Sequence, residues 1–157
     1  MISITEAQEL VQSWQDDGQK VVFTNGCFDV LHRGHITYLQ EAKATGDKLI
    51  IGLNSDESVR RLKGLRRPIQ CIEDRAVILE ALGCVDVVVE FVEDTPAELI
   101  AELQPNVLVK GGDYQEDEIV GRDIVLSNGG EVKIIPLVEG VSTSSIISRI
   151  LSGKALD

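Results

Sequence analysis

Apolar residues recur along this chain in two rhythms. Short continuous runs such as Val21-Val22-Phe23, Leu49-Ile50-Ile51, Val87-Val88-Val89 and Val107-Leu108-Val109 predict buried strands over residues 20–24, 48–53, 86–89 and 107–109, with a fifth over 132–135. Between them the spacing turns helical. Ile36, Leu39 and Ala42 share one face of a helix predicted over 34–45, which Gly46 should stop. A helix is expected over 56–62, and another over 73–82 with Val77, Ile78, Ala81 and Leu82 on its apolar side. Thr95-Pro96-Ala97-Glu98 reads as a capping box, with Thr95 as N-cap, opening a helix that runs to Leu103. Residues 117–127 read as one helix. Ile146, Ile147, Ile150 and Leu151 form the apolar face of a closing helix that begins in Ser142-Thr143-Ser144-Ser145.

Strands that are apolar throughout, alternating with helices, predict an α/β domain: a Rossmann-like, doubly wound parallel sheet of five strands, buried on both faces. The expected division is a helical lead-in over 1–19, with Ala7, Leu10, Val11 and Trp14 as its apolar face, followed by one domain over 20–157. In such sheets ligands bind beyond the carboxyl ends of the strands, where strand order reverses. Chemistry is therefore to be sought in the turns after the first, fourth and fifth strands.

Charge narrows the partners. Fifteen Lys and Arg face 26 Asp and Glu, a net charge of −11, which argues against a general nucleic-acid binder. Against that background Arg60-Arg61-Leu62-Lys63-Gly64-Leu65-Arg66-Arg67 stands out, holding five of the fifteen cations in eight residues. Such a run is commonly a solvated face; on so acidic a chain, beside a glycine, it also suits a small polyanion. No apolar run is long enough to span a bilayer. The start, Met1-Ile2-Ser3-Ile4-Thr5-Glu6, lacks the features of a signal peptide, so a cytosolic protein is expected. Cys27, Cys71 and Cys84 are odd in number and widely spaced, the pattern of free thiols.

The turn after the first strand, Asn25-Gly26-Cys27-Phe28-Asp29-Val30-Leu31-His32-Arg33-Gly34-His35, contains the chain's only two histidines. Three residues apart at a helix start, they share a face with the helix's free N–H groups, an arrangement suited to phosphate. Gly34 would let the phosphate approach the backbone. A metal site needs three or four ligands, and only Cys27 is near, so no metal residue is assigned. Cys27 itself reads as a small residue in a tight turn, with a catalytic thiol as the alternative. Lys110-Gly111-Gly112-Asp113-Tyr114 follows the fourth strand, where paired glycines could lie flat against a base or simply make a turn.

Gly26-Cys27-Phe28-Asp29 leading to His32-Arg33-Gly34-His35 resembles the H-x-G-H nucleotidyltransferase superfamily, the cytidylyltransferase-like group. The likeness extends to Asn54-Ser55-Asp56, to Arg75 and to Ser142-Thr143-Ser144-Ser145-Ile146. Leu62-Lys63-Gly64, Arg67-Pro68, Glu93-Asp94-Thr95-Pro96 and Lys110-Gly111-Gly112-Asp113-Tyr114 are similar to one branch, the D-glycero-β-D-manno-heptose 1-phosphate adenylyltransferases (ADP-heptose synthases), of which a free-standing form is expected here. Where glycerol-phosphate cytidylyltransferases carry Arg-Thr-Glu-Gly, this chain has Leu137-Val138-Glu139-Gly140, which disfavours CTP.

The resemblance implies adenylyl transfer from ATP to a sugar 1-phosphate for lipopolysaccharide core synthesis, with Mg²⁺ arriving on the ATP and a homodimer as the expected assembly. His32, His35, Lys63 and Arg75 would be catalytic. Asn25, Gly26, Cys27, Phe28, Gly34, Lys110, Gly111, Asp113, Ser142, Thr143 and Ser144 would join the histidines around the nucleotide. Asp29, Asn54, Arg67 and Tyr114 would meet the acceptor, with Asp29 serving either a sugar hydroxyl or the metal. Two other readings stay open: a cytidylyltransferase acting on glycerol 3-phosphate or a similar polyol phosphate, and a non-catalytic nucleotide-binding module. Neither nucleic acid nor membrane is expected as a partner.

Overall fold

A computed structural model of the chain describes residues 1–112 and 115–153. Five strands, β1 (Val21–Gly26), β2 (Lys48–Asn54), β3 (Val87–Phe91), β4 (Val107–Gly111) and β5 (Glu131–Ile135), form one sheet in the order β3-β2-β1-β4-β5. Every pairing is parallel. The helices are α1 (Ile4–Asp16), α2 (Arg33–Lys43), α3 (Asp56–Lys63), α4 (Ile72–Glu80), α5 (Ala97–Leu103), α6 (Arg122–Ser127) and α7 (Thr143–Ser152). This is the expected doubly wound, Rossmann-like sheet.

The twofold period of a strand sends alternate residues to opposite faces. Val22, Leu49, Ile51 and Leu53 pack beneath α2 and α4 against Leu39, Ala42, Ala76 and Leu79. Val21, Phe23, Ile50, Val89 and Leu108 pack on the other face against Ala7 and Val11 of α1, Leu99, Ile100 and Leu103 of α5, and Val125 of α6. Each large apolar side chain among them, fully buried, contributes about 1.5–3 kcal/mol. The lead-in helix α1 is thus part of the second core layer.

Strand order reverses between β1 and β4, and there the ladder is short. Val22 pairs with Val107 and Phe23 with Leu108, whereas β1 and β2 stay in register from Val21–Lys48 to Gly26–Leu53. Beyond Phe23 side chains take over the crossing. The Tyr38 hydroxyl reaches both Thr24 Oγ1 on β1, at 2.6 Å, and the Val109 carbonyl on β4, at 3.3 Å. Further up, Lys110 Nζ donates to Asn25 Oδ1 at 2.9 Å.

Several local expectations need correction. The buried face of α4 is Ile72, Arg75, Ala76 and Leu79, while Val77 is 66% exposed: a buried arginine occupies the side that an apolar pattern cannot reveal. The helix expected over 117–127 is broken into a 3-10 turn (Glu116–Glu118) and α6, because Gly121 at φ 88° adopts a left-handed conformation before α6 begins. Thr95 caps nothing. Pro96 takes the N-cap position of α5, and no side-chain cap bond forms. On α1, Leu10 is partly exposed. The apolar face of α7 is largely uncovered, with Ile150 and Leu151 exposed.

Candidate active site

A cavity of about 700 Å³ opens over the carboxyl ends of β1, β2 and β4. Sixteen of the residues named from sequence line it: Asn25, Gly26, Cys27, Phe28, Asp29, His32, Gly34, His35, Asn54, Lys63, Arg67, Lys110, Gly111, Ser142, Thr143 and Ser144. Asp113 and Tyr114 lie outside the described residues. Arg75 does not line the cavity.

The histidines form the best-defined part of the site. Their rings stack at 3.9 Å between centroids with 19° between planes, and Phe28 meets His35 edge-on at 5.4 Å. A Cβ at Gly34 would lie 3.0 Å from His32 Nδ1, so glycine is what admits the stack. Both Nδ1 atoms are buried without a hydrogen-bond partner among the described residues. Burial lowers the His32 pKa; burial, then the proximity of His32, lowers that of His35 to about 4. Both rings are therefore neutral near pH 7. His32 stands at the N-cap of α2 without capping it, so the helix presents its first turn to the cavity.

α7 brings a second helix start to the same cavity. Ser142 Oγ accepts from the Ser145 N–H at 3.1 Å, and Ser145 Oγ returns the bond by accepting from the Ser142 N–H at 3.2 Å, forming a capping box. The Thr143 hydroxyl donates to the Val30 carbonyl at 3.1 Å, tying α7 to the histidine turn. That hydroxyl is a tether between segments, while Ser144 and the helix amides remain for an anion. Lys63, the last residue of α3, has no ion-pair partner among the described residues. Lys110 is half-buried, and desolvation lowers its pKa.

Two assigned roles change. Arg75 is 1% exposed and already engaged. Nε donates to Gln70 O at 3.2 Å, Nη1 to Cys27 O at 2.6 Å, and Nη2 to Asn54 O at 2.9 Å and Asp56 Oδ1 at 2.7 Å. It braces the cavity wall and cannot clamp a phosphate. Asp29, also 1% exposed, accepts from the Ile69 N–H at 2.6 Å, the Gln70 N–H at 3.1 Å and Arg67 Nε. Three donors thus hold its two oxygens to the 67–70 segment, on the side of the turn away from solvent. Asn54 Nδ2 donates to Ser58 Oγ at 2.9 Å, which orients its amide at the cavity edge. Burial raises the Cys27 thiol's pKa, which favours the turn-filling role over a catalytic thiolate.

The cavity is also lined by residues given no site role from the sequence: Leu62, Asp94, Thr95, Pro96, Leu137 and Val138, which stand in the family motifs, and Tyr38, Glu118, Ile119, Val120 and Val141, which do not. Most sit in loops beyond β3, β4 and β5. The strand-end rule could have flagged those loops, and for Asp94 to Pro96 and for Leu137 and Val138 the motif resemblance was a signal too; Glu118, Ile119, Val120 and Val141 carry none.

A parallel sheet with reversed strand order, two helix starts and a neutral histidine pair over one cavity defines a phosphate-handling enzyme of the nucleotidyltransferase kind. The chain belongs to the cytidylyltransferase-like family, whose pattern matches residues 23–149, and it is a nucleotidyltransferase. It is 55% identical over 150 residues to the bifunctional protein HldE of Wolinella succinogenes, covering 96% of this chain and 31% of that protein. It is 60% identical over 134 residues to HldE of Syntrophotalea carbinolica, covering 85% of this chain and 27% of that protein. The chain thus spans about 30% of the length of the curated relatives it matches. These matches agree with the branch resemblance drawn from residues 62–68 and 110–114. Among solved structures, a lipopolysaccharide core biosynthesis protein from Thermoplasma volcanium superposes with a TM-score of 0.63 at 30% identity, covering 77% of this chain and 98% of that one. Pantothenate synthetase from Thermus thermophilus, at 18% identity and TM-score 0.63, shares the fold; the match covers 93% of this chain and 66% of that one. Among the described residues no helix is long and apolar enough to cross a membrane.

Proposed function

We propose that the chain transfers an adenylyl group from ATP to a sugar 1-phosphate, D-glycero-β-D-manno-heptose 1-phosphate, in lipopolysaccharide core synthesis in the cytosol. The observation that carries this reading is the neutral histidine pair, its buried Nδ1 atoms unpartnered among the described residues, facing the start of α7 across one cavity. Relatives named HldE and a core-biosynthesis protein of the same fold support the acceptor class. Leu137, standing where the resemblance to glycerol-phosphate cytidylyltransferases would call for an arginine, supports ATP over CTP.

An acceptor phosphate oxygen attacks the α-phosphorus of ATP. A new phosphorus–oxygen bond forms as the bond to the β-phosphate bridging oxygen breaks, and pyrophosphate leaves with the electron pair. The nucleophile is already anionic, so the protein's task is to position the reactants and to neutralise charge at the α-phosphorus and on the leaving group. His32 and His35 donate to the phosphates. Ser142, Ser144 and the α7 amides hold the β- and γ-phosphates. Lys63 offsets charge on the departing pyrophosphate, and Arg67 receives the acceptor phosphate. Lys110, fixed by Asn25, and Gly111 border the nucleotide.

Mg²⁺ would enter bound to the triphosphate, screening its charge. The phosphates and water would supply most of its ligands.

Pyrophosphate release across ATP, CTP, GTP and UTP, each with heptose 1-phosphate, glucose 1-phosphate and glycerol 3-phosphate, tests the proposal. Release with ATP and heptose 1-phosphate is the expected result. Turnover confined to CTP and glycerol 3-phosphate would replace it with the cytidylyl reading, and nucleotide binding without any release would leave only a binding module.

A further inference from the structure

We infer that Asp29 is a positioning residue whose task is to aim Arg67 at the phosphate of the acceptor. The inference rests on the proposed transferase reading for the identity of that phosphate.

Asp29 holds one short segment in two ways. Oδ1 accepts from the backbone N–H groups of Ile69 and Gln70, which stops the carboxylate from rotating. Oδ2 accepts from Nε of Arg67, two residues earlier in the same segment. Side chain and backbone of residues 67–70 are thereby fixed to a single carboxylate on the histidine turn. Arg75 adds a second strap between the same pieces, bonding Gln70 O on one side and Cys27 O on the other.

The consequence falls on Arg67. A guanidinium is a rigid planar fork, so anchoring Nε fixes the plane in which both Nη groups lie. Those groups have no partner among the described residues, and Arg67 lines the cavity. Just before it, Leu65 is 91% exposed and Gly64 lies at φ 93°, so the chain enters this segment from an open loop. Without Asp29 the arginine would rejoin the solvated charges of residues 60–66. Burying a carboxylate is costly unless its geometry is used; here it gives a phosphate two preset donors.

Asp29→Asn separates aiming from folding. The amide oxygen can still accept from Ile69 and Gln70, while an NH₂ now meets Arg67 Nε, donor against donor. The expected result is an acceptor KM raised about ten- to a hundredfold, with the ATP KM within about twofold. Arg67→Ala should raise the acceptor KM similarly, and adding Asp29→Asn to it should change little more. An unchanged acceptor KM in Asp29→Asn would overturn the inference. Equal losses for both substrates that track a loss of Tm would do the same, as would additive effects in the double variant.

A readout without turnover uses the Arg67 Nε–H resonance in ¹⁵N-labelled wild-type protein titrated with inorganic phosphate. A saturable shift, absent in Asp29→Asn, is expected; no shift in the wild type refutes the aiming role. If the wild type releases no pyrophosphate with any acceptor, the transferase reading fails by itself, and the phosphate titration still decides the role of Asp29.

Discussion

Two groups of polar side chains, in and just behind the wall of one cavity, are built in opposite ways. Around Asp29 and Arg75 each charged group is met by partners: three donors converge on the carboxylate, and the guanidinium reaches three carbonyls and a carboxylate. At His32 and His35 the buried Nδ1 atoms have none among the described residues, and the rings lie against each other. An unsatisfied buried polar group costs about 1–3 kcal/mol, so it persists where a ligand completes it. The satisfied network braces the wall of the cavity, and on the proposed reading the unsatisfied pair is left for the chemistry. Buried polar atoms are common to both groups; the partners around each separate them.

The widest test of that contrast is Arg75→Ala. It should remove about 3–5 kcal/mol of stability, as expected for breaking a buried ion pair, read from urea unfolding. A drop in kcat at unchanged stability would instead return Arg75 to the chemical group. His35→Ala should show the reverse pattern. Turnover should fall about 10²–10³-fold, the loss typical of one transition-state donor, while Tm stays level or rises because an unsatisfied group has gone. Wild-type turnover in His35→Ala would remove the histidines from the mechanism.

This division was only half legible in the sequence. The fold was readable because its strands are continuous apolar runs and its helices keep a clear period, as in Val21-Val22-Phe23 and in Leu39 with Ala42. The histidine turn was readable because a Gly between the chain's only two histidines is a local signal. The partners of Arg75 and Asp29 were illegible for a common reason. A charged residue near a motif reads as reactive, and only the long-range partners, from 19 to 48 residues away for Arg75 at Asp56 and Cys27, reveal that its donors are already used. Contacts of that kind belong to the tertiary structure. Thr95 and the 117–127 helix failed on the same principle at smaller scale, where packing overrode a local cap and a left-handed glycine interrupted the period. Glu118, Ile119 and Val141 entered the cavity unannounced because loops beyond strand ends carry no periodic mark.

Lys63 sharpens the contrast from the solvent side. Exposed, and without an ion-pair partner among the described residues, it resembles the histidines in waiting for a ligand but sits in high dielectric, where a charge contact is weaker. Lys63→Ala should lower kcat/KM for ATP by about tenfold, some 1.4 kcal/mol, with Tm unchanged, in steady-state kinetics at low salt. Unchanged kinetics would assign Lys63 to the solvated charges of residues 60–66.

The smallest expected effect is the pH dependence of the unsatisfied pair. His35 has a folded-state pKa of about 4, against 6.5 when free of its surroundings. Between those values the unfolded chain binds the proton and the folded chain does not, so the stability due to the neutral ring is present above about pH 6.5 and is lost as pH falls towards 4. Because the ring is only partly buried, solvent screening should keep this term below the others. Many carboxylates titrate in the same window, so the measurement is a difference: thermal unfolding of wild type against His35→Gln from pH 7.5 to 4. The wild type should lose more Tm than the variant over that range, since only it carries a ring that must shed its proton to fold. Parallel curves would mean that His35 titrates normally in the folded protein, and the neutral, waiting histidine pair would have to be given up.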